Sequence, residues 1–227
     1  MAAHNFSILN ISLSIGNHLN AFSRIAFNRG KATRSKGNTF IALSEVAKTL
    51  EANGIETEII SIGTKAVQGC IACRRCTETG QCIFNDSLYI KVWEKLEAID
   101  GIIIGSPVYY AGPNGSLCAL LDRLFYSAAP LLRYKPAASV AVCRRGGASA
   151  TFDRLNKYFT INCMPVVSSQ YWNSVHGRTP GEAAHDAEGL LTMRTLGNNM
   201  TWMLKSLAAG NLPKPEREPA VMTNFIR

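Results

Sequence analysis

Gly101-Ile102-Ile103-Ile104-Gly105-Ser106-Pro107-Val108-Tyr109-Tyr110-Ala111-Gly112-Pro113-Asn114-Gly115 joins an unbroken apolar run to a loop dense in turn formers. A strand wetted on one side alternates apolar and polar residues, whereas three successive isoleucines suit a strand buried on both faces of a parallel sheet. The loop breaks that strand, and Leu117, Leu120, Leu121 and Leu124 then recur at helical spacing. Strand, loop and helix in that order form the repeating unit of a parallel α/β sheet.

The same unit recurs on both sides. Upstream, Ile25-Ala26-Phe27 is a short strand, a basic loop spans residues 28–38, and Phe40, Leu43, Val46, Ala47 and Leu50 make a helical stripe ending at Asn53-Gly54. Residues 55–62 form a strand, and Asp86 caps a helix whose apolar face is Tyr89, Val92, Trp93, Leu96 and Ile99. Downstream, residues 138–142 are a strand running into Cys143-Arg144-Arg145-Gly146-Gly147, followed by a helix over residues 149–159. Met164-Pro165-Val166-Val167 starts the last strand, and a final helix covers residues 183–209, its methionines at core spacing. Five strands alternating with helices predict an α/β three-layer sandwich with a five-stranded parallel sheet in the order 2-1-3-4-5.

The chain of 227 residues, 47% hydrophobic, is long enough for one large core. Three segments are expected: an amino-terminal extension over residues 1–23, a main domain over 24–209, and a proline-bearing tail over 210–227 that serves as a mobile or docking arm. Residues 9–15 alternate like an edge strand, so the extension is either that strand or unstructured. No apolar run reaches the roughly 18 to 20 residues that span a bilayer, and Met1-Ala2-Ala3-His4-Asn5 lacks the basic opening of a secretory signal, so the expectation is a cytoplasmic protein without a membrane partner. A formal charge of +8 favours anionic partners. Phosphorylated cofactors and nucleic acid both qualify, and the absence of basic runs interleaved with aromatics disfavours nucleic acid.

In the predicted strand order, ligands bind at the carboxyl ends of strands 1 and 3. Three loops end there: residues 29–38, 106–115 and 144–147. Arg34-Ser35-Lys36-Gly37-Asn38-Thr39 combines cations, hydroxyls and the free N–H groups of a helix start, suited to a phosphate; the plainer reading makes Asn38 or Thr39 an N-cap. Tyr109 and Tyr110 either lie against a flat heteroaromatic ligand or plug the sheet edge. Gly146-Gly147 either permits close approach of a ligand or makes a turn.

Separate from these loops, Cys70, Cys73, Cys76 and Cys82 stand at spacing C-x2-C-x2-C-x5-C. Two-residue gaps let thiolates converge on a [4Fe–4S] cube, while zinc usually takes two separated pairs. Free thiols, zinc and a redox disulfide are the competing readings. Cys118, Cys143 and Cys163 read as small core residues. Asp122 and Arg123 read as pairing or capping at the end of their helix, and His176 as within reach of a substrate. Neither G-x-S-x-G nor a Walker sequence is present, which removes serine hydrolase and P-loop chemistry.

Arg34-x-x-Gly37-Asn38-Thr39, Gly69-Cys70-Ile71-Ala72-Cys73, Gly105-Ser106-Pro107-Val108-Tyr109-Tyr110 and Leu121-Asp122-Arg123, in this order and spacing, resemble the NAD(P)H-dependent FMN reductase and iron–sulfur flavoprotein branch of the flavodoxin-like superfamily. The resemblance covers roughly residues 24–209. It implies noncovalent FMN contacted by Thr33, Arg34, Lys36, Asn38, Thr39, Pro107, Val108, Tyr109, Tyr110, Gly112, Arg145, Gly146 and Gly147. It also implies a [4Fe–4S] cluster on Cys70, Cys73, Cys76 and Cys82, NAD(P)H as electron donor, and a homodimer or homotetramer. The family's Gly-Ser-x-Arg is replaced by Lys31-Ala32-Thr33-Arg34, which weakens the phosphate grip unless Thr33 supplies the missing hydroxyl. The implied function is electron transfer from a reduced carrier, through flavin chemistry, to a small-molecule or protein acceptor. The alternative is an FMN-binding electron carrier or redox sensor without turnover; a structural or nucleic-acid-binding module that has lost its flavin is the third reading.

Overall fold

A computed structural model of the chain describes residues 25–28, 37–210 and 212–223. The expected extension over residues 1–23 lies outside them, as do Thr33, Arg34 and Lys36.

The isoleucine run is the centre of the molecule. It lies in the strand Ile102–Tyr109 (β3), where Ile102, Ile103 and Ile104 are buried on both faces. β3 pairs in parallel with Ile25–Asn28 (β1) on one side and with Ala137–Cys143 (β5) on the other. Glu58–Ser61 (β2) pairs in parallel with β1, and Ser174–His176 (β6) with β5, giving the order β2-β1-β3-β5-β6. A two-residue strand, Gly112–Pro113 (β4), folds back antiparallel on the end of β3. The five parallel strands take the expected order 2-1-3-4-5, and β4 adds a sixth, antiparallel strand, so the sheet is mixed and not purely parallel as expected.

The last strand is also displaced from its expected place. Met164 to Val167 is apolar enough to look like a strand, but only Val166 makes an isolated bridge, to Ala137. The pairing partner of Ala141, Val142 and Cys143 is the later and more polar Ser174-Val175-His176.

Helix α1 (Asn38–Ala52) buries Ala42, Leu43, Val46, Ala47 and Leu50 as one stripe. It lies so close to β3 that a Cβ on Gly105 would stand 2.8 Å from Leu43 Cδ1, so glycine is what lets the helix seat. The long helix α7 (Ala187–Gly210) packs beside α1, with Gly197 opposite Thr49. It is shorter at its start than expected, because Asp186 accepts the N–H of Gly189 and caps it, leaving a separate 3-10 turn at Glu182–His185. The cysteine segment contains one helical turn, α2 (Cys76–Thr79), and leads into α3 (Ser87–Trp93). Next come α4 (Gly115–Ser127), the short α5 (Ala129–Leu132) and α6 (Ala148–Thr160). Phe125 of α4 meets the rings of Tyr158 and Phe159 on α6. The crossovers β1–α1–β2 and β3–α4–β5 run in opposite directions along the sheet, so right-handedness puts α1 and α4 on opposite faces.

The tail residues 212–223 have no regular secondary structure and touch the body where the Tyr134 hydroxyl donates to the Pro215 carbonyl at 3.3 Å. Among the described residues no helix is long and apolar enough to cross a membrane. Cys163, expected in the core, is exposed at a positive φ of 54°, whereas Cys143 is buried and Cys118 partly so.

Candidate functional site

The carboxyl ends of β3 and β5 and the start of α1 are tied into one rim. Past Pro107, which pairs with Val142, β3 leaves the sheet as a tight hairpin in which Val108 faces Pro113 and Tyr109 faces Gly112. The two turn residues, Tyr110 and Ala111, hold φ of 49° and 59°, a left-handed conformation that costs a non-glycine residue about 1 kcal/mol or more. This turn leaves Tyr109 and Tyr110 exposed to solvent. Gly147, at φ 87°, presses against the same hairpin: a Cβ there would stand 2.7 Å from Ala111 Cα and 2.8 Å from Val108 Cγ1. Arg145 and Gly146 are exposed beside it.

Asn38 joins this rim by a route that sequence reasoning missed. Its side-chain amide donates to the Thr179 carbonyl at 2.9 Å, and its Oδ1 accepts the N–H groups of Gly181 and Ala183, each at 3.1 Å. The Gly177 N–H donates to the Cys143 carbonyl at 2.9 Å, so residues 177–183 bridge the end of β5 to the start of α1. Glu182 closes that loop by accepting the backbone N–H of Arg178 and Thr179 and the Thr179 hydroxyl. These bonds hold its carboxyl down at about 2. The only local signal was the turn-forming Thr179-Pro180-Gly181. With the Asn38 side chain so engaged, the first turn of α1 offers an anion its backbone N–H groups, and the buried Thr39 follows directly. His176, at the end of β6, is held by Asp186, whose Oδ2 accepts the His176 N–H at 2.6 Å.

The cysteine segment forms a second centre. Cys70, Cys73, Cys76 and Cys82 all line one apolar cavity together with Ile71, Arg74, Ile83, Phe84, Arg123 and Tyr126. Ala72 and Arg74 hold φ of 54° and 60°, which wraps the backbone tightly, and the Ala72 N–H points to Cys70 Sγ at 3.4 Å. Burial pushes the Cys76 thiol upward, and the nearby Cys82, Cys70 and Cys73 push it further. Among the described residues no three or more His, Cys, Asp or Glu side chains converge tightly enough to hold a metal ion as they stand. The four thiols share a cavity, not a point.

What frames this cavity is Arg123, which pairs, as does Asp122, with a residue outside its own helix. Asp122 turns away to accept the Tyr158 hydroxyl at 2.5 Å and to meet Arg154 at 3.6 Å. The Arg123 side chain is fully buried and donates to the Gln68 carbonyl at 3.2 Å, before the cysteines, and to the Phe84 carbonyl after them. It also meets the Asp86 carboxylate at 2.5 Å and stacks 4.8 Å from the centroid of the Tyr89 ring. Tyr89 adds a further tie, accepting the Cys82 N–H at 2.9 Å. Trp93 closes the set by donating to the Gly80 carbonyl at 3.2 Å.

A sheet of five parallel strands in the order 2-1-3-4-5, alternating with helices and with loops gathered at its carboxyl ends, defines a flavodoxin-like fold. Solved structures agree on the fold: the Trp repressor binding protein from Bacillus subtilis superposes with a TM-score of 0.55 at 21% identity over 75% of this chain and 97% of that one. A flavodoxin from the domain Archaea does so at 0.52 and 13% identity, covering 79% of this chain and 98% of that one. Residues 32–179 match the family model of NADPH-dependent FMN reductase, and the chain belongs to that family. It is similar to an iron–sulfur flavoprotein of Methanocaldococcus jannaschii, 35% identical over 76% of this chain and 93% of that one. An iron–sulfur flavoprotein of Methanosarcina thermophila is 32% identical over 67% of this chain and 78% of that one.

Proposed function

We propose that the protein is an FMN-dependent oxidoreductase with an iron–sulfur centre in its cysteine cavity, drawing electrons from a reduced nicotinamide carrier and delivering them to a small-molecule or protein acceptor. The observation that carries this reading is the placement of all four spaced cysteines around one cavity, on a chain whose relatives are named iron–sulfur flavoproteins.

The residues present suit both groups. For FMN, the close seat of Gly147 against Val108 and Ala111 fixes the hairpin that carries Tyr109 and Tyr110, and the start of α1 supplies N–H groups for the phosphate. Thr33, Arg34 and Lys36, with Asn38 and Thr39, are assigned to that phosphate; Pro107, Val108, Tyr109, Tyr110, Gly112, Arg145, Gly146 and Gly147 are assigned to the ring system. For the cluster, the wrapped backbone and the N–H directed at Cys70 Sγ match what thiolate ligands require. Bound there, FMN supplies one- and two-electron chemistry and the cluster one-electron chemistry. The protein's own part is to bind, orient and exclude water, so no acid–base pair is assigned. Ile71, Ile83 and Tyr126, each about half exposed, rim the cavity and form the apolar face where a redox partner or a second copy approaches.

Steady-state oxidation of NADPH by anaerobically purified, flavin-loaded protein tests the catalytic part. Sustained turnover with an artificial acceptor is expected. Flavin-loaded protein that oxidises neither NADPH nor NADH is instead a carrier or sensor.

A further inference from the structure

The guanidinium of Arg123 carries five N–H donors, and its two terminal nitrogens are occupied by the Gln68 and Phe84 carbonyls and the Asp86 carboxylate. One face lies on the Tyr89 ring. Two donors are then left, one on Nη1, which already serves Gln68, and Nε–H, whose nitrogen is buried and has no hydrogen-bond partner among the described residues. Buried N–H groups are rarely left without an acceptor, and each exception asks for a cause. Arg123 lines the cavity shared by the four cysteines, so the acceptors lacking from the protein are those a sulfur-ligated centre would bring.

We propose that Arg123 is the tuning residue of the cysteine centre, giving its Nε–H to a cluster or cysteine sulfur and setting the centre's reduction potential through its buried charge. This rests on the iron–sulfur reading above and goes beyond it by assigning a role to a residue that is not a ligand.

The physical logic has two parts. Four thiolates around an iron–sulfur core leave a net negative charge that grows on reduction, so a hydrogen bond to sulfur and a nearby cation both favour the reduced state. Burial strengthens both effects, because the Arg123 side chain has no solvent exposure with which to screen its charge. Asp86 sets how much of that charge the centre feels. One of its oxygens accepts the Tyr89 N–H and caps α3, while the other meets Arg123, so capping and charge compensation sit on separate atoms.

That separation makes the proposal testable. Asp86→Asn keeps an oxygen for the Tyr89 N–H and removes the compensating charge. Arg123→Gln removes both the charge and Nε–H, and Arg123→Lys restores the charge alone.

The test is a redox titration of the full-length, anaerobically reconstituted proteins, monitored by electron paramagnetic resonance, with iron and sulfide counted in each. The expected order of midpoints runs from Arg123→Gln, most negative, through Arg123→Lys and wild type to Asp86→Asn, most positive. A residue that merely held the loop in shape would change iron content or stability without producing this order. Iron-loaded variants at the wild-type midpoint, or Asp86→Asn moving in the same direction as Arg123→Gln, overturn the assignment. Where the Arg123 variants fail to fold or to load, the midpoint of Asp86→Asn decides alone, and an unmoved value overturns it. Wild-type protein that takes up no iron removes the cluster reading itself and this assignment with it.

Discussion

The Asp86 carboxylate and the Arg123 guanidinium meet at 2.5 Å, and this contact closes the base of the cysteine segment. Arg123 reaches one carbonyl before the cysteines and one after them, so a single side chain on α4 holds both ends of the loop. Replacing it with alanine strands the Gln68 and Phe84 carbonyls and leaves a void. Arg123→Ala is expected to lower stability to urea by about 3 kcal/mol. Asp86→Asn, with a partly exposed side chain and its capping oxygen retained, is expected to cost about 1 kcal/mol or less. Equal losses in the two variants would contradict the clamp.

The same pair makes the loop sensitive to acid. Burial opposes the charge on Asp86, but the Tyr89 N–H and the Arg123 guanidinium outweigh it and hold the carboxyl below its ordinary 3.8. A depressed carboxyl stabilises the fold above its unfolded value and loses that contribution as pH falls through the folded value. The stability gap between wild type and Asp86→Asn, read from urea midpoints, should therefore be constant above about pH 5 and close below pH 3.8. A gap that widens on acidification would be the wrong sign.

Gly147 is the joint between the loops after β3 and β5. At φ 87° and with Ala111 Cα 2.7 Å from its Cβ position, it has room for no side chain. Gly147→Ala is expected to destabilise the protein by about 2 kcal/mol and to weaken flavin binding, because the hairpin bearing Tyr109 and Tyr110 must move. Flavin fluorescence quenching measures the second effect, and wild-type affinity would remove Gly147 from the site.

Tyr110 and Ala111 occupy a two-residue turn in which both φ values are positive, the geometry that Asn-Gly prefers. The double change Tyr110→Asn with Ala111→Gly should raise thermal stability by about 1 kcal/mol while weakening flavin binding, since it relieves strain and removes an aromatic ring. A loss of stability would show that the turn is not strained.

The division between what was legible in the sequence and what was not follows the range of the interactions. Ile102-Ile103-Ile104 announced a doubly covered strand because burial on both faces leaves no place for a polar residue, and the stripe from Leu43 to Leu50 announced α1 in the same local way. The cysteine spacing was legible because residues that line one cavity from a single wrapped loop stand close in sequence. The role of Arg123 was not, since its partners Gln68, Phe84 and Asp86 come from a distant segment and nothing in Leu121-Asp122-Arg123 points to them. β6 was misplaced because edge pairing rewards backbone position more than apolarity, and Ser174-Val175-His176 is less strand-like than Met164-Pro165-Val166-Val167. The Asn38 bridge to residues 177–183 was hidden for the same reason as the Arg123 clamp.

The most direct measurement is a count of flavin, iron and acid-labile sulfide per chain after anaerobic purification, with the visible spectrum recorded on the same sample and on Cys73→Ser. About one FMN, four irons and four sulfides per chain are expected, with iron and its broad absorbance lost in Cys73→Ser while the flavin bands remain. Protein that carries no flavin, or iron that is unchanged in Cys73→Ser, would contradict the two-centre assignment.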